Sequence, residues 1–350
     1  MHYLIFGAGA VGNFIGGRLA LSGQQVTFLA RPRITATFRK NGLRIVDQTS
    51  HDLLPNPNVV DRPQQAFSSP PPEVIILTVK TYDIETAAEQ IIDHALTPLP
   101  ILCFTNGVGS EALLSEKLIG FPIIPATLTT AVQLTPEGVV QIERERGVGI
   151  AETHPIVDSL VLDFIQSGNT VRRYQDERRM KWSKLLTNIV SNASSAILGW
   201  PPKRIFQHPK LHRIEVEALR ETVRLMRRID VRPQNLPGVP ITLLSAGIFL
   251  PPWLTQSILG RIVSRGRGEK LPSFHYDIGR GRSEIHHLNG AVVKEGNRVG
   301  LPTPANRFLT DTMLTIVRDA DQHKFLRNHP EEILNRAAQA GIPGIQGYNP

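Results

Sequence analysis

The sequence predicts an α/β protein with a mostly parallel sheet in its first half and a mainly α-helical second half. Three observations carry that expectation. Short apolar runs at residues 3–6 and 74–79, broken only by Thr78, alternate with amphipathic stretches before residue 172, as buried parallel strands and their crossover helices do. Long 3.6-residue periodicities then run over residues 177–198, 210–229, 283–299 and 303–319. A chain of 350 residues is also long for a single hydrophobic core. The expected division is 1–172, 173–327 and a polar, Pro/Gly-rich, loosely attached tail over 328–350, with a cleft between the two domains.

In chain order, residues 3–6 read as a strand, followed by a glycine turn, a helix from about 11 to 22 and a second strand at 25–30. Residues 56–72, rich in Pro, Ser and Gln, read as an irregular connection. A helix over 83–94 joins the strand at 74–79 to another at 101–105, which ends at Asn106-Gly107. Repeated crossovers of this kind are right-handed and make a sheet parallel. From 139 to 152 the pattern turns to shorter strands with turn residues.

Composition narrows the function classes. Lys and Arg number 39 against 31 Asp and Glu, for a net charge of +8, which favours anionic partners. The nearest basic run, 261–270, is broken by Gly and Glu and has no interleaved aromatics, so no nucleic-acid partner is expected. A single cysteine, Cys103, lies in an apolar run and has no intrachain partner; a reducing, cytoplasmic setting is expected. The opening residues enter a strand pattern at once, so no targeting segment is expected. Residues 233–260 lack charge over a length that suits a membrane span, but Pro237, Pro240, Pro251 and Pro252 interrupt it. Two short helices flanking Pro251-Pro252 are expected instead, with no membrane partner, and they are the candidate contact for a homodimer.

Gly7-Ala8-Gly9-Ala10-Val11-Gly12 is a G-x-G-x-x-G motif placed after a strand and at the start of a helix, the context in which it signals a Rossmann dinucleotide site. Gly7 turns the chain, Gly9 lets the backbone approach a pyrophosphate, and Gly12 lets helix and strand pack closely. The helix N-terminus supplies N–H groups and a positive dipole end. Where an NAD enzyme places an acid to hold the ribose 2′-hydroxyl, this chain has Arg31, and no acid follows before Asp47. A guanidinium binds a 2′-phosphate that a carboxylate repels, so NADPH/NADP+ is the expected cofactor.

In residues 181–192 the side chains of Lys184, Asn188 and Asn192 fall at i, i+4 and i+8 on one helical face, amid Trp182, Leu185, Leu186, Ile189 and Val190. A polar stripe on so apolar a helix faces water or a site. Lys181 lies one turn earlier on much the same face, and spacing does not choose between the two lysines.

With W-x-K-L-x-x-N-x-x-x-N over residues 182–192, the chain resembles the ketopantoate reductase (2-dehydropantoate 2-reductase) family. The resemblance extends over nearly the whole chain: G-x-G-x-x-G with Arg31, a strand ending Thr78-Val79-Lys80, the loop Asn106-Gly107-Val108-Gly109, and Arg280-Gly281-Arg282-Ser283-Glu284-Ile285 followed by Leu288-Asn289-Gly290. It implies an NADP-dependent oxidoreductase that converts 2-dehydropantoate, a small 2-oxo acid, to pantoate in pantothenate biosynthesis. By the same resemblance Lys184 is the general acid, Asn188 and Asn192 hold the substrate, and Ser273 meets its carboxylate. Lys80 and Asn106 line the cofactor and nicotinamide side, and Glu284 contacts substrate or nicotinamide ribose. An ammonium stabilises and then protonates the alkoxide that hydride addition creates. The chain departs from the family pattern at Glu269 to His275, at His286 and at Pro202. These changes cluster where substrate is expected, so a different 2-oxo acid is the first alternative and a non-catalytic NADPH-binding sensor or scaffold the second.

Overall fold

The computed structural model describes residues 1–68, 70–267 and 271–345. The end of the basic run, with Glu269 and Lys270, and the last five residues of the tail lie outside the described residues. The chain forms two compact units. The first is Met1–Lys181 with Leu236–Val239; the second is Trp182–Asn235 with the chain from Pro240 onward.

The first unit runs β1 (His2–Phe6), α1 (Ala10–Leu21), β2 (Gln25–Leu29), α2 (Pro32–Asn41), β3 (Leu43–Val46), β4 (His51–Leu54), β5 (Asn58–Val60), α3 (Pro63–Ala66) and β6 (Val74–Leu77). It continues through α4 (Ile84–His94), β7 (Ile101–Cys103), α5 (Ser110–Lys117), β8 (Ile123–Leu128), β9 (Ala131–Leu134), β10 (Val139–Arg144), β11 (Val148–Ala151), α6 (Val157–Gln166) and β12 (Val171–Tyr174). The main sheet has the order β12-β11-β8-β7-β6-β1-β2-β5. Its pairs are parallel except β11 with β8. A smaller sheet, β4-β3-β10-β9, is mostly antiparallel.

Alternation along each strand builds two apolar layers. Tyr3, Ile5, Ile76 and Leu102 pack on one face with Phe14, Ile15 and Leu19 of α1 and Leu160 and Phe164 of α6. Leu4, Phe6, Ile75, Leu77, Ile101 and Cys103 pack on the other with Ile84, Ala88 and Ile91 of α4 and Leu114 of α5. Helices on both faces of a mostly parallel sheet make the doubly wound arrangement expected from the alternating pattern. Residues 56–72 are more regular than their composition suggests: β5 adds an edge strand to β2 and α3 follows.

The second unit is helical: α7 (Glu177–Ile189, beginning in the first unit), α8 (Asn192–Leu198), α9 (Pro202–Gln207), α10 (Leu211–Arg228), α11 (Ile241–Gly247), α12 (Pro252–Arg267), α13 (Asn289–Arg298), α14 (Pro304–Arg318), α15 (Ala320–Leu326) and α16 (Pro330–Gln339). Its centre is α10, which buries Ile214, Leu219, Val223, Leu225 and Met226 and packs on α9, α13, α14 and α16. The prolines divide residues 233–260 as expected, and among the described residues no helix is long and apolar enough to cross a membrane.

The expectation of a loose tail is corrected over residues 330–345. Ile333, Leu334 and Ala337 form a buried stripe on α16, and Arg213 donates to the Gly344 carbonyl at 2.9 Å. A short apolar stripe outweighs the polar, Pro/Gly-rich composition around it.

Candidate functional site

The glycine turn leaves the carboxyl end of β1 between β6 and β2, where successive strands are added on opposite sides of β1. Such a switch point opens a crevice at the strand ends. Gly7 adopts φ +105°, and a Cβ there would lie 2.9 Å from the Val79 nitrogen. At Gly12 a Cβ would lie 2.5 Å from the Gly7 carbonyl oxygen and 2.6 Å from Thr78 Oγ1, so helix and strand meet backbone to backbone. Gly9, the N-cap of α1, is different: a Cβ there meets nothing within 4 Å. Open space at the middle glycine is the geometry that admits a pyrophosphate.

The turn is held before any ligand arrives. Thr78 Oγ1 donates to the Gly7 carbonyl at 2.6 Å, Asn13 Nδ2 donates to the Ala8 carbonyl at 2.9 Å, and Ala8 N donates to the Leu29 carbonyl at 3.2 Å. The N–H groups of Ala10, Val11 and Gly12 lie in the first turn of α1, where a helix offers them no carbonyl, and no acid sits there. That donor set suits a pyrophosphate.

Arg31 follows β2 at the N-cap position of α2, where its side chain makes no capping hydrogen bond. Its side chain is 82% exposed and its Nη2 lies 3.8 Å from Asp83 Oδ2, a separation at which an exposed pair is weak. The guanidinium therefore suits a phosphate at the end of β2. Lys80, half-buried, precedes the 3₁₀ turn Thr81–Asp83 at the carboxyl end of β6, and its carbonyl accepts from Asp83 N at 2.9 Å. Asn106, half-buried, follows the carboxyl end of β7. Gly7 to Gly12, Arg31, Lys80 and Asn106 thus all lie at the carboxyl ends of strands of one sheet.

Lys181 is buried, and Lys184 is half-buried. Lys181 Nζ donates to the Thr105 carbonyl at 2.7 Å and the Ala126 carbonyl at 3.4 Å, and it pairs with Glu111 Oε1 at 2.7 Å. Burial acts to lower its pKa, but the Glu111 carboxylate and its neighbours outweigh burial and raise it, so it stays an ammonium. Burial, with Glu111 adding to it, pushes the nearby Cys103 thiol up to about 12.

In the second unit the single helix expected over 177–198 is interrupted. Helix α7 ends at Ile189, Ser191 takes a left-handed φ of +50°, and Asn192 begins α8. Lys184 and Asn188 remain one turn apart on α7, but Asn192 is not the third member of their stripe. The cause is Glu215 of α10, whose carboxylate accepts from Ser191 N at 2.6 Å and from Ser194 Oγ at 2.5 Å. It caps a new helix where periodicity alone continues the old one.

The break has a product. Asn192 is buried, its Nδ2 donates to Ser273 Oγ at 3.1 Å, and its Oδ1 accepts from Phe274 N at 3.1 Å. Two residues expected at the substrate are thereby joined across 81 positions of sequence. Glu284 is buried in the 3₁₀ turn Glu284–His287, which Ser283 caps, and α13 starts only at Asn289 after Leu288 leaves helical geometry. The helix expected over 283–299 is thus divided. His286 is exposed; burial lowers the pKa of His287, partly opposed by Glu284. Among the described residues no cluster suits a metal ion.

Sequence reasoning did not single out Asn13, Glu111 or Glu215. Asn13 leaves a local signal, as an amide on an otherwise apolar turn of α1. Glu111 and Glu215 act on residues 70 and 24 positions away, and no local pattern marks them.

Fold and site define the class as an oxidoreductase with a Rossmann unit followed by a helical one. Two family models match, "Ketopantoate reductase PanE/ApbA" over residues 3–154 and "Ketopantoate reductase PanE/ApbA C terminal" over 176–316. The chain belongs to the ketopantoate reductase family. It is similar to the 2-dehydropantoate 2-reductase of Pyrococcus horikoshii, 28% identical over 88% of this chain and 95% of that one. Among solved structures it is similar to a PanE/ApbA family ketopantoate reductase of Ralstonia eutropha, with a TM-score of 0.77, 25% identity, and 93% of this chain and 100% of that one covered. A D-mandelate dehydrogenase with NADH and anilino(oxo)acetate shares the fold at a TM-score of 0.75 and 18% identity, covering 93% and 99% of the two chains.

Proposed function

We propose that this protein reduces 2-dehydropantoate to pantoate with NADPH as hydride donor. The observation that carries the reading is the half-buried face of α7 on which Lys184 and Asn188 lie one turn apart. Gly7, Ala8, Gly9, Ala10, Val11 and Gly12 bind the pyrophosphate, Arg31 binds the 2′-phosphate, and Lys80 and Asn106 line the nicotinamide side. When bound, the reduced nicotinamide supplies a hydride to the substrate carbonyl carbon. Lys184 Nζ stabilises the negative charge that develops on the carbonyl oxygen and delivers the proton to it. Asn188 orients the oxo acid, and Asn192 with Ser273 receives its carboxylate. Glu284 contacts the substrate or the nicotinamide ribose. Cofactor binding is assigned to 1–172 and substrate binding to 173–327, in a cytoplasmic setting where the one thiol stays reduced.

The departures at His286, Pro202 and around Ser273 favour, as the second reading, the same chemistry on another 2-oxo acid. Steady-state NADPH oxidation decides between them: saturable turnover with 2-dehydropantoate, above that with other branched oxo acids, is the expected result. Turnover preferring another acid selects the second reading. Tight NADPH binding without turnover on any acid overturns both.

A further inference from the structure

The segment from Thr105 to Glu111 joins β7 to α5, and one buried cation ties both of its ends. Lys181 Nζ holds the Thr105 carbonyl at 2.7 Å at the entrance and Glu111 Oε1 at 2.7 Å at the exit, and its third contact is the Ala126 carbonyl of β8 at 3.4 Å. An ammonium has three N–H donors, and three acceptors surround this one. The side chain is 6% exposed and that of Glu111 15%. Removing a buried charge from water is costly unless its partners are good, so the arrangement fixes its partners tightly.

Between the tied ends lie Asn106, Gly107, Val108, Gly109 and Ser110, the first residue of α5, with Gly107 at φ +85° and Gly109 at φ +98°. Two left-handed glycines in four residues give a backbone with many accessible conformations of its own. Such a loop needs outside anchors to present one side chain reproducibly. We propose that Lys181 is a positioning residue whose ammonium holds the Thr105–Glu111 loop in the conformation that presents Asn106 to the nicotinamide. The inference rests on the assignment of Asn106 made above. It gives Lys181 a role distinct from proton donation and assigns Glu111 to the same device.

The test uses the full chain and two ligands: NADPH, and 2′-phosphoadenosine 5′-diphosphoribose, which keeps the pyrophosphate and 2′-phosphate but has no nicotinamide. Lys181→Met should weaken NADPH roughly tenfold while changing the affinity of the nicotinamide-free ligand by less than about twofold. The double variant with Asn106→Ala should bind NADPH about as tightly as Asn106→Ala alone, because both substitutions remove the same contact. Glu111→Gln keeps the shape of the loop and should give the same selective loss at smaller amplitude, which serves if Lys181→Met does not fold. Equal weakening of both ligands, an unchanged NADPH affinity, or additive effects with Asn106→Ala would each overturn the positioning role. A wild-type protein that binds the two ligands equally, with Asn106→Ala silent, would instead overturn the placement of Asn106, and that outcome is separable from the others.

Discussion

Lys184 and Lys181 carry the same charge three positions apart, and only their surroundings separate them. Spacing left the choice open and the W-x-K-L match favoured Lys184; the structure adds that Lys181 is held by two carbonyls and a carboxylate. With Lys184 as proton donor, Lys184→Ala should lower kcat by about 10² to 10⁴, the usual range for general acid catalysis, with the NADPH dissociation constant nearly unchanged. Single-turnover measurements check this, and an unaltered hydride-transfer rate would refute the role. The glycine motif makes a sharper contrast. A Cβ at Gly9 meets nothing within 4 Å, whereas one at Gly12 would lie 2.5 Å from the Gly7 carbonyl oxygen. Gly9→Val should therefore keep the wild-type melting temperature and lose NADPH binding, while Gly12→Val should lose stability by a few kcal/mol through overpacking. Calorimetry with cofactor titration distinguishes the two, and a Gly9→Val protein that still binds NADPH tightly would contradict the assigned role of the turn. The positions of these residues were legible because each glycine does a local job. The braces on them, Thr78 to Gly7 and Asn13 to Ala8, were less so, since a hydroxyl or an amide reads the same whether it binds backbone or water.

Helix α10 shows why boundaries escaped sequence reasoning where helices did not. Its apolar face was plain from the 3.6-residue repeat, but its buried carboxylates end or begin other helices. Glu215 caps α8 through Ser191 N, and Glu221 accepts from Ala305 N, Asn306 N and Asn306 Nδ2 at the start of α14. Those partners lie as much as 85 positions apart in sequence, so periodicity ran through the break at Ser191. Burial raises the pKa of Glu221 from 4.5 to about 7, against the lowering effect of its three donors. Its folded pKa therefore exceeds its unfolded one. Stability from this group is full below pH 4.5 and is lost as pH rises through about 7, by on the order of 3 kcal/mol. Glu221→Gln keeps an oxygen acceptor and removes the titration. Urea midpoints measured from pH 5 to 8 should fall more steeply in the wild type than in Glu221→Gln, and parallel curves would show that Glu221 does not titrate in this window.

Over the whole chain, the order of apolar strands and amphipathic helices was enough to give a doubly wound unit followed by a helical one. Among the elements it missed, several have small apolar content. Strand β4 buries no side chain, and strands β3 and β5 and helix α16 bury only one to three each; such short stripes vanish against polar neighbours. The proposed cofactor choice, in contrast, rests on one exposed side chain, Arg31, and has a consequence for the stability of the entire protein. A ligand that binds only the folded state stabilises it by about 2.7 kcal/mol at a hundredfold excess over its dissociation constant. A shift of roughly 5 to 10 °C in melting temperature follows for a unit of this size. With Arg31 assigned to the 2′-phosphate, its charged hydrogen bonds would contribute about 1.5 to 3 kcal/mol, most of that stabilisation. At the concentration that gives this shift with NADPH, NADH should therefore move the transition only slightly. Arg31→Asp should erase the advantage of NADPH, because a carboxylate at the end of β2 repels the phosphate and suits the bare ribose hydroxyl. Added salt should shrink the NADPH shift in the wild type, since an exposed guanidinium is readily screened. Calorimetric scans of both proteins with each cofactor measure all three effects, and equal shifts for NADPH and NADH in the wild type would overturn the assignment of Arg31 to the 2′-phosphate.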